Sequence, residues 1–328
     1  MEDIPSIIRL QNEVNNSFKT KYKLESYLGK GNNSYIYRGI SPNKNIYLIK
    51  FIPKKNDHRN ILIEIGFMKA LSLFPTSHKY INTCHDFNVS NAYIIVVMNV
   101  FRGQDINQFS NIIKLMPELE YLDMVKQILR HSLKALSYIH KRGIAHQNIS
   151  PQNIVVSCPN GKNIEYLKLV NFGQSCGYYF NIDNHKFLNK KCKYIVNRMN
   201  KFPPEYYQKE KLITEIKALM KTNADDTVEL YMAKKDDIWI LGTLLWCLIN
   251  RSQVGNNPLS IPFPENKDML EIFSNENDYH TFRGMSSLKN IHNFIVNNIL
   301  VPVQNRKNAN DLLSKFMLLE KYGWEYVN

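Results

Sequence analysis

His146-Gln147-Asn148-Ile149-Ser150-Pro151-Gln152-Asn153, followed by Asn171-Phe172-Gly173, is the part of the chain on which its reading turns. Upstream, Val125, Ile128, Leu129, Leu133, Leu136 and Ile139 recur at helical spacing. Gly143 stops that helix as a C-cap glycine. Downstream, residues 154–170 read as a hairpin, with Asn160-Gly161 as its tight turn. The quoted octapeptide is therefore a loop between a long helix and a hairpin.

Toward the N-terminus the pattern is β-rich. Leu24, Tyr27 and Leu28 lead into Gly29-Lys30-Gly31, and Tyr35, Ile36 and Tyr37 follow, which is strand, turn, strand. Glycines there let backbone N–H groups approach phosphates, although a plain hairpin turn reads the same. Ile46 to Ile52 is a further β-rich run and holds Lys50. Ile61, Ile65, Met68 and Leu71 give a helix over residues 59–74 that carries Glu64. Tyr93 to Met98 is continuously apolar at strand length and is expected to be a central strand. Residues 99–103 turn polar and end in Gly103, a hinge. Residues 1–20 are polar with one apolar patch, Ile4 to Leu10, and are expected to be a helical or loose extension.

Toward the C-terminus, Ile238 to Ile249 is the longest apolar run. It is too short to span a bilayer and reads as a buried helix capped by Asp236 or Asp237. Leu212, Ile216, Leu219 and Met220 suggest one more helix, and residues 286–319 suggest others. The expected fold class is α+β and bilobal, with a small β-rich lobe holding one helix and a larger, mainly helical lobe. A cleft between such lobes is where ligands usually bind.

Bulk properties narrow the function. With 328 residues, 44% hydrophobic and 22% charged, the chain has the balance of a globular protein. A formal charge of +13 favours acidic partners in a non-specific way. No run of basic residues forms a nucleic-acid arm, and no aromatic stacking platform or groove-reading motif appears, so nucleic acid is not the expected ligand. The N-terminus lacks the basic and apolar regions of a signal peptide. The expected location is intracellular, cytoplasmic or nuclear, without membrane attachment. The cysteines at 84, 158, 176, 192 and 247 form no Cys-x-x-Cys pair and are read as free thiols in a reducing compartment.

From about Tyr22 to Leu319 the chain resembles the eukaryotic protein-kinase superfamily, in its Ser/Thr-kinase-like form. The resemblance implies boundaries: an N-terminal extension at 1–20, a kinase-like domain at 21–322 and a tail at 323–328. Within the domain it implies a small lobe at 21–98, a hinge at 99–103 and a large lobe at 104–322. Lys50 matches the strand lysine that holds nucleotide phosphates, and Glu64 the helix glutamate that pairs with it. Leu28, Gly29, Gly31, Ile36, Leu48 and Val155 match residues around the nucleotide. Met98 matches the gatekeeper and Asp105 a ribose contact. His146–Asn153 aligns with His-Arg-Asp-Leu-x-x-x-Asn, and Asn171-Phe172-Gly173 with Asp-Phe-Gly. Pro203-Pro204-Glu205 aligns with Ala-Pro-Glu, and Asp237 to Gly242 with Asp-x-Trp-x-x-Gly. Arg306 matches the arginine that pairs with Glu205.

The departures from the family bear on chemistry. Asn148 stands where the family has the aspartate that accepts the substrate proton, and a positioned base is worth roughly 10²–10⁴ in rate. Ser150 stands where Ser/Thr kinases carry a lysine facing the moving phosphoryl group. Asn171 stands in place of the aspartate that holds Mg²⁺, and Asn153, which keeps the family identity, is neutral as well. Gln147 removes an arginine that meets a phosphorylated loop, and Arg198 falls at a threonine position. Between Gln174 and Pro203 the one serine or threonine is Ser175.

The resemblance therefore implies a pseudokinase that acts by protein binding, on a kinase or a kinase substrate. ATP is the implied ligand, with weak or no Mg²⁺ binding at Asn153 and Asn171. Leu48, in place of a small alanine, is expected to complete part of an apolar column with Ile36, Val155, Leu244 and Leu248. The stretch from Lys186 to Lys201 offers a basic surface to an acidic partner. The alternatives are a weakly active atypical Ser/Thr kinase and a basic nucleic-acid-binding domain.

Overall fold

The computed structural model describes residues 5–31, 34–54, 59–192, 209–222, 224–249, 286–301 and 303–323. The chain divides into two compact units. The first is Met1–Arg102 with Tyr179–Leu188, and the second is Gly103–Tyr178 with Asn189–Asn328. The first break falls at the polar stretch before Gly103. The return of Tyr179–Leu188 to the first unit has no counterpart in the sequence boundaries given above.

The first unit is built on strands β1 (Lys23–Gly31), β2 (Ser34–Ile40), β3 (Ile46–Pro53), β4 (Cys84–Val89) and β5 (Tyr93–Asn99). They form an antiparallel sheet in the order β1-β2-β3-β5-β4. Side chains alternate between the two faces of a strand, so each strand supplies one set to each face. Tyr35, Tyr37, Tyr47, Ile49, Phe51, Tyr93, Ile95 and Val97 fall on one face and are buried in one cluster.

Helix α1 (Ile7–Ser17) adds Leu10 and Val14 to that cluster, both fully buried. It is also tied by polar bonds. The Gln11 amide donates to the Tyr22 carbonyl at 2.8 Å and accepts from the Leu24 N–H at 2.7 Å. The Asn88 amide donates to the Ser17 carbonyl at 2.7 Å. The N-terminal segment expected to be helical or loose is thus a helix whose apolar stripe belongs to the core.

Helix α2 (Arg59–Ser72) buries Ile65, Phe67, Met68 and Leu71. A Cβ placed on Gly66 would lie 2.3 Å from the Phe180 carbonyl oxygen, so only glycine fits this approach. Phe67 packs beside Tyr179, with ring centroids 5.4 Å apart.

The second unit contains α3 (Ile106–Ile113), α4 (Glu118–His140), β6 (Gln104–Asp105) and β7 (Ile144–Ala145). A hairpin of β8 (Ile154–Ser157) and β9 (Tyr166–Leu169) follows. Its connection spans 158–165 and is not a tight two-residue turn. The Asn160 side chain accepts from the N–H groups of Lys162 and Asn163 and folds the loop locally, while Gly161 takes φ +69°. Strands β10 (Cys176–Asn181) and β11 (Lys186–Lys190) pair in the order β11-β10-β7.

Helices α5 (Lys209–Met220), α6 (Asp225–Ile249), α7 (Ser286–Asn298) and α8 (Ala309–Tyr322) complete the described residues of this unit. Ile216 of α5 packs fully buried against Val228 and Met232 of α6, so the helical pattern at 212–220 is a packed helix. Arg130 on α4 holds Glu320 on α8 through two N–H groups, one at 2.9 Å. Asp237 lies inside α6 and does not cap it, because the helix begins at Asp225. Among the described residues no helix is long and apolar enough to cross a membrane.

The reading of all five cysteines as free thiols is corrected. Cys176 and Cys192 are joined by a disulfide, and Cys84, Cys158 and Cys247 are free. The β10–β11 hairpin brings the two together across 16 residues, and spacing along the chain does not reveal that.

Candidate functional site

In the first unit, the face of the sheet opposite the aromatic cluster carries the residues matched to nucleotide contacts. Register places Ile36 opposite Lys50, Leu48 opposite Met98 and Lys50 opposite Val96. The strand period thus puts Ile36, Leu48, Lys50 and Met98 on one face. Ile36, Leu48 and Lys50 are half-buried. The Met98 sulfur accepts from the Asn82 amide at 3.6 Å. Leu28 is exposed on β1, and the β1–β2 pairing sets Gly29 opposite Ile36 and Gly31 opposite Ser34. Glu64 is half-buried on α2 and has interactions of its own. Among the described residues no ion pair includes Lys50.

In the second unit, Asp237 organises the loop quoted at the outset. It is fully buried. One carboxylate oxygen accepts from the Gln147 N–H at 2.7 Å, and the other accepts from the His146 N–H at 2.7 Å. The second oxygen also lies 3.0 Å from His140 Nε2. Gln147 sits at φ +55°, a left-handed conformation that non-glycine residues rarely hold. The pair of bonds to Asp237 fixes that turn.

His146 shows its tautomer through its partners. Nδ1 faces the Asn148 N–H at 3.2 Å and must accept, so Nε2 carries the proton and donates to the Val170 carbonyl at 3.0 Å. Burial holds the His146 and His140 imidazoles below the ordinary histidine range, in the neutral form.

The Asn171 amide donates to the side-chain oxygen of Asn153 at 3.2 Å. The Asn153 amide donates in turn to the Asn148 carbonyl at 2.8 Å. Asn171 holds φ +67°, which asparagine tolerates better than most residues. Asn153 is buried, Asn148 and Ser150 are half-buried, and Asn171 is exposed. Ser150 precedes the short 3₁₀ turn Pro151–Asn153 and its carbonyl accepts from the Asn153 N–H at 3.0 Å. Asn148, Asn153 and Asn171 therefore come together, while no carboxylate occurs among positions 148, 150, 153 and 171.

Asp105 has a local role: its carboxylate caps α3 by accepting from the Gln108 N–H at 2.9 Å. Val155 on β8 pairs with Asp105 across the ladder. Ser175 is fully buried, and its hydroxyl donates to the His146 carbonyl at 3.2 Å. Of the basic stretch, Lys186 is exposed, Lys190 donates to the Gly173 carbonyl at 3.3 Å and Lys191 pairs with Asp226 at 3.1 Å. Lys193, Arg198 and Lys201, with Pro203-Pro204-Glu205, lie outside the described residues.

The protein kinase domain family matches residues 22–317. The chain belongs to the protein kinase family. It is similar to calcium-dependent protein kinase 4 of Plasmodium falciparum, at 27% identity over 71% of this chain and 38% of that one. It is similar also to the serine/threonine-protein kinase ULK3 of Homo sapiens, at 26% identity over 46% of this chain and 30% of that one. The chain thus spans well under half the length of these curated relatives. Among solved structures it resembles the autoinhibited serine kinase domain of the giant muscle protein titin. That match has a TM-score of 0.58 and 20% identity, over 94% of this chain and 82% of that one. Rad53 residues 1–466 in complex with AMP-PNP match with a TM-score of 0.52 and 17% identity, over 89% and 64%. At these identities the solved structures speak for the fold.

Sequence reasoning placed Asp237 in the family motif but missed its work as the acceptor that shapes the loop. An aspartate at the head of an apolar helical run was the available signal, since a buried carboxylate needs donors.

Proposed function

We propose that this kinase-family chain is a pseudokinase, which binds and regulates a protein partner and does not transfer phosphate. The observation that carries the reading is the amide relay from Asn171 through Asn153 to the Asn148 carbonyl. Mg²⁺ is a hard cation that favours carboxylate oxygens and resists losing its water. At the matched positions the chain offers neutral oxygens, and the relay already commits the Asn153 side-chain oxygen to accepting from the Asn171 amide. This donor set does not suit the cation. The proton-accepting position is also a neutral amide, which is not a useful base near neutral pH.

Lys50 supports retained nucleotide contact, and the solved Rad53 match holds AMP-PNP. We read any nucleotide binding here as independent of Mg²⁺. Leu48, half-buried beside Ile36 and Lys50, adds bulk where adenine would sit by resemblance. The partner is read as a kinase or a kinase substrate, with Lys186 and the basic stretch after it as a docking surface for an acidic partner.

The second reading, a weak Ser/Thr kinase, is favoured by the Ser/Thr kinase relatives. Radiolabelled transfer from ATP to a generic protein substrate separates the two, with Lys50→Ala as control. The pseudokinase reading expects no incorporation above that control. Lys50-dependent incorporation would overturn it. A thermal-shift titration with ATP is expected to give the same shift with and without Mg²⁺.

A further inference from the structure

The segment after Asn171-Phe172-Gly173 is fixed by means other than a phosphorylated serine or threonine. Ser175, its one serine or threonine as far as Pro203, is buried and already donates to the His146 carbonyl. A kinase acting on this chain would have to pull that hydroxyl out of the fold first. Gln147, in place of arginine, would also give a phosphate no cation.

Three ties hold the described part of the segment at residues 190–192 instead. Lys190 donates to the Gly173 carbonyl, Lys191 pairs with Asp226, and Cys192 is bonded to Cys176. The ion pair is modest, because Lys191 is largely exposed and Asp226 nearly half so. The covalent tie differs in kind. Its Cα atoms stand 5.0 Å apart, and both cysteines belong to a buried cluster with Ala145 and Ala233, against which Leu230 packs. It closes the ends of the β10–β11 hairpin.

The backbone beside it has little freedom to shift. Cys176 pairs with Ala145 and Gly177 with Ile144. Gly177 holds φ +103°, and a Cβ there would lie 2.0 Å from the Gly143 carbonyl oxygen. Cys176 is therefore held in place, and closing the bridge immobilises mainly Cys192 and the strand leading to it.

We propose that Cys176 and Cys192 form a thiol–disulfide exchange site, whose co-reactant is a low-molecular-weight disulfide, and that its closure orders residues 176–192 in place of serine or threonine phosphorylation. Cys192 retains 7% exposure and Cys176 none, so Cys192 meets the reagent. Its thiolate attacks the small disulfide, forms a mixed disulfide and expels one small thiolate. The Cys176 thiolate then attacks the Cys192 sulfur and expels the second. Two protein thiols lose two electrons, the reagent gains them, and the two thiol protons pass to the departing thiolates. This holds whether or not the chain transfers phosphate.

The test uses the full chain in glutathione buffers of graded thiol-to-disulfide ratio, quenched by alkylation and mapped by mass spectrometry. The Cys176–Cys192 cross-link is expected to accumulate while Cys84, Cys158 and Cys247 remain alkylatable. Amide hydrogen exchange over residues 176–192 is expected to slow by about tenfold or more in the cross-linked form, with β8 and β9 unchanged. Cys192→Ser should exchange at the rate of the dithiol form in every buffer. The proposal is overturned if both cysteines stay alkylatable at all ratios or if Cys192 stops at the glutathione adduct. Cross-linking that leaves exchange unchanged overturns it equally.

Discussion

Asp237 and Asn171 both reach the loop from His146 to Asn153, and they do so with different chemistry. Asp237 lies out of water and uses both oxygens to accept from backbone N–H groups. Asn171 is exposed and neutral, and it gives a hydrogen bond to another amide. One interaction shapes the loop; the other faces the position where the family does its chemistry. The contrast teaches that the requirements of folding and of phosphate transfer fall on separate carboxylates. The chain holds the first, and on the reading proposed above it carries amides in place of the second.

The contrast breaks first at Asp237. Asp237→Ala strands two backbone N–H groups and removes the partner of His140. It is expected to cost roughly 3–5 kcal/mol in urea unfolding, a penalty typical of breaking a buried charged network. A cost near zero would mean the loop holds itself.

The next test works from the other side. Restoring both carboxylates with Asn148→Asp and Asn171→Asp is expected to raise phosphate transfer by about 10²–10⁴ and to make the ATP thermal shift depend on Mg²⁺. If neither changes, the obstacle lies elsewhere, with Ser150 and Leu48 the next positions to replace.

Asn171→Gly should be mild. It removes one exposed amide bond and relieves a left-handed backbone, so stability is expected to change by less than about 1 kcal/mol.

The smallest effect is on pH. Burial, with Lys134 and Arg130 nearby, pushes His131 down to about 4, and burial lowers His140 and His146 as well. An unfolded histidine takes up its proton near 6.5, before the folded one does. The unfolded state then binds more protons, so the folded state loses stability as pH falls below about 6.5. His131→Asn should reduce the loss measured between pH 7 and pH 5.

The elements legible in the sequence were those with strong periods. The run at Tyr93 is β5, the repeat from Ile61 is in α2, and Leu133 lies in α4, as spacing alone requires. The set of amides was legible too, because motif order places Asn148, Asn153 and Asn171. What spacing did not carry was contact across distance. Asp237 reads as a cap because an aspartate before an apolar run looks like one, yet α6 starts twelve residues earlier. Cys176 and Cys192 look unrelated until a hairpin folds between them. Asn160-Gly161 suggests a two-residue turn, but the loop is longer and is shaped by the asparagine side chain.

Helix α1 gives the family match a practical limit. The match begins at residue 22, but Leu10 and Val14 already lie in the interior of the sheet's aromatic side. A version trimmed to the matched boundary would leave Tyr37, Tyr47 and Phe51 partly uncovered and the Leu24 N–H without its glutamine acceptor. Such a truncation would be prone to self-association, so the segment that homology leaves out is one that any shortened form has to retain.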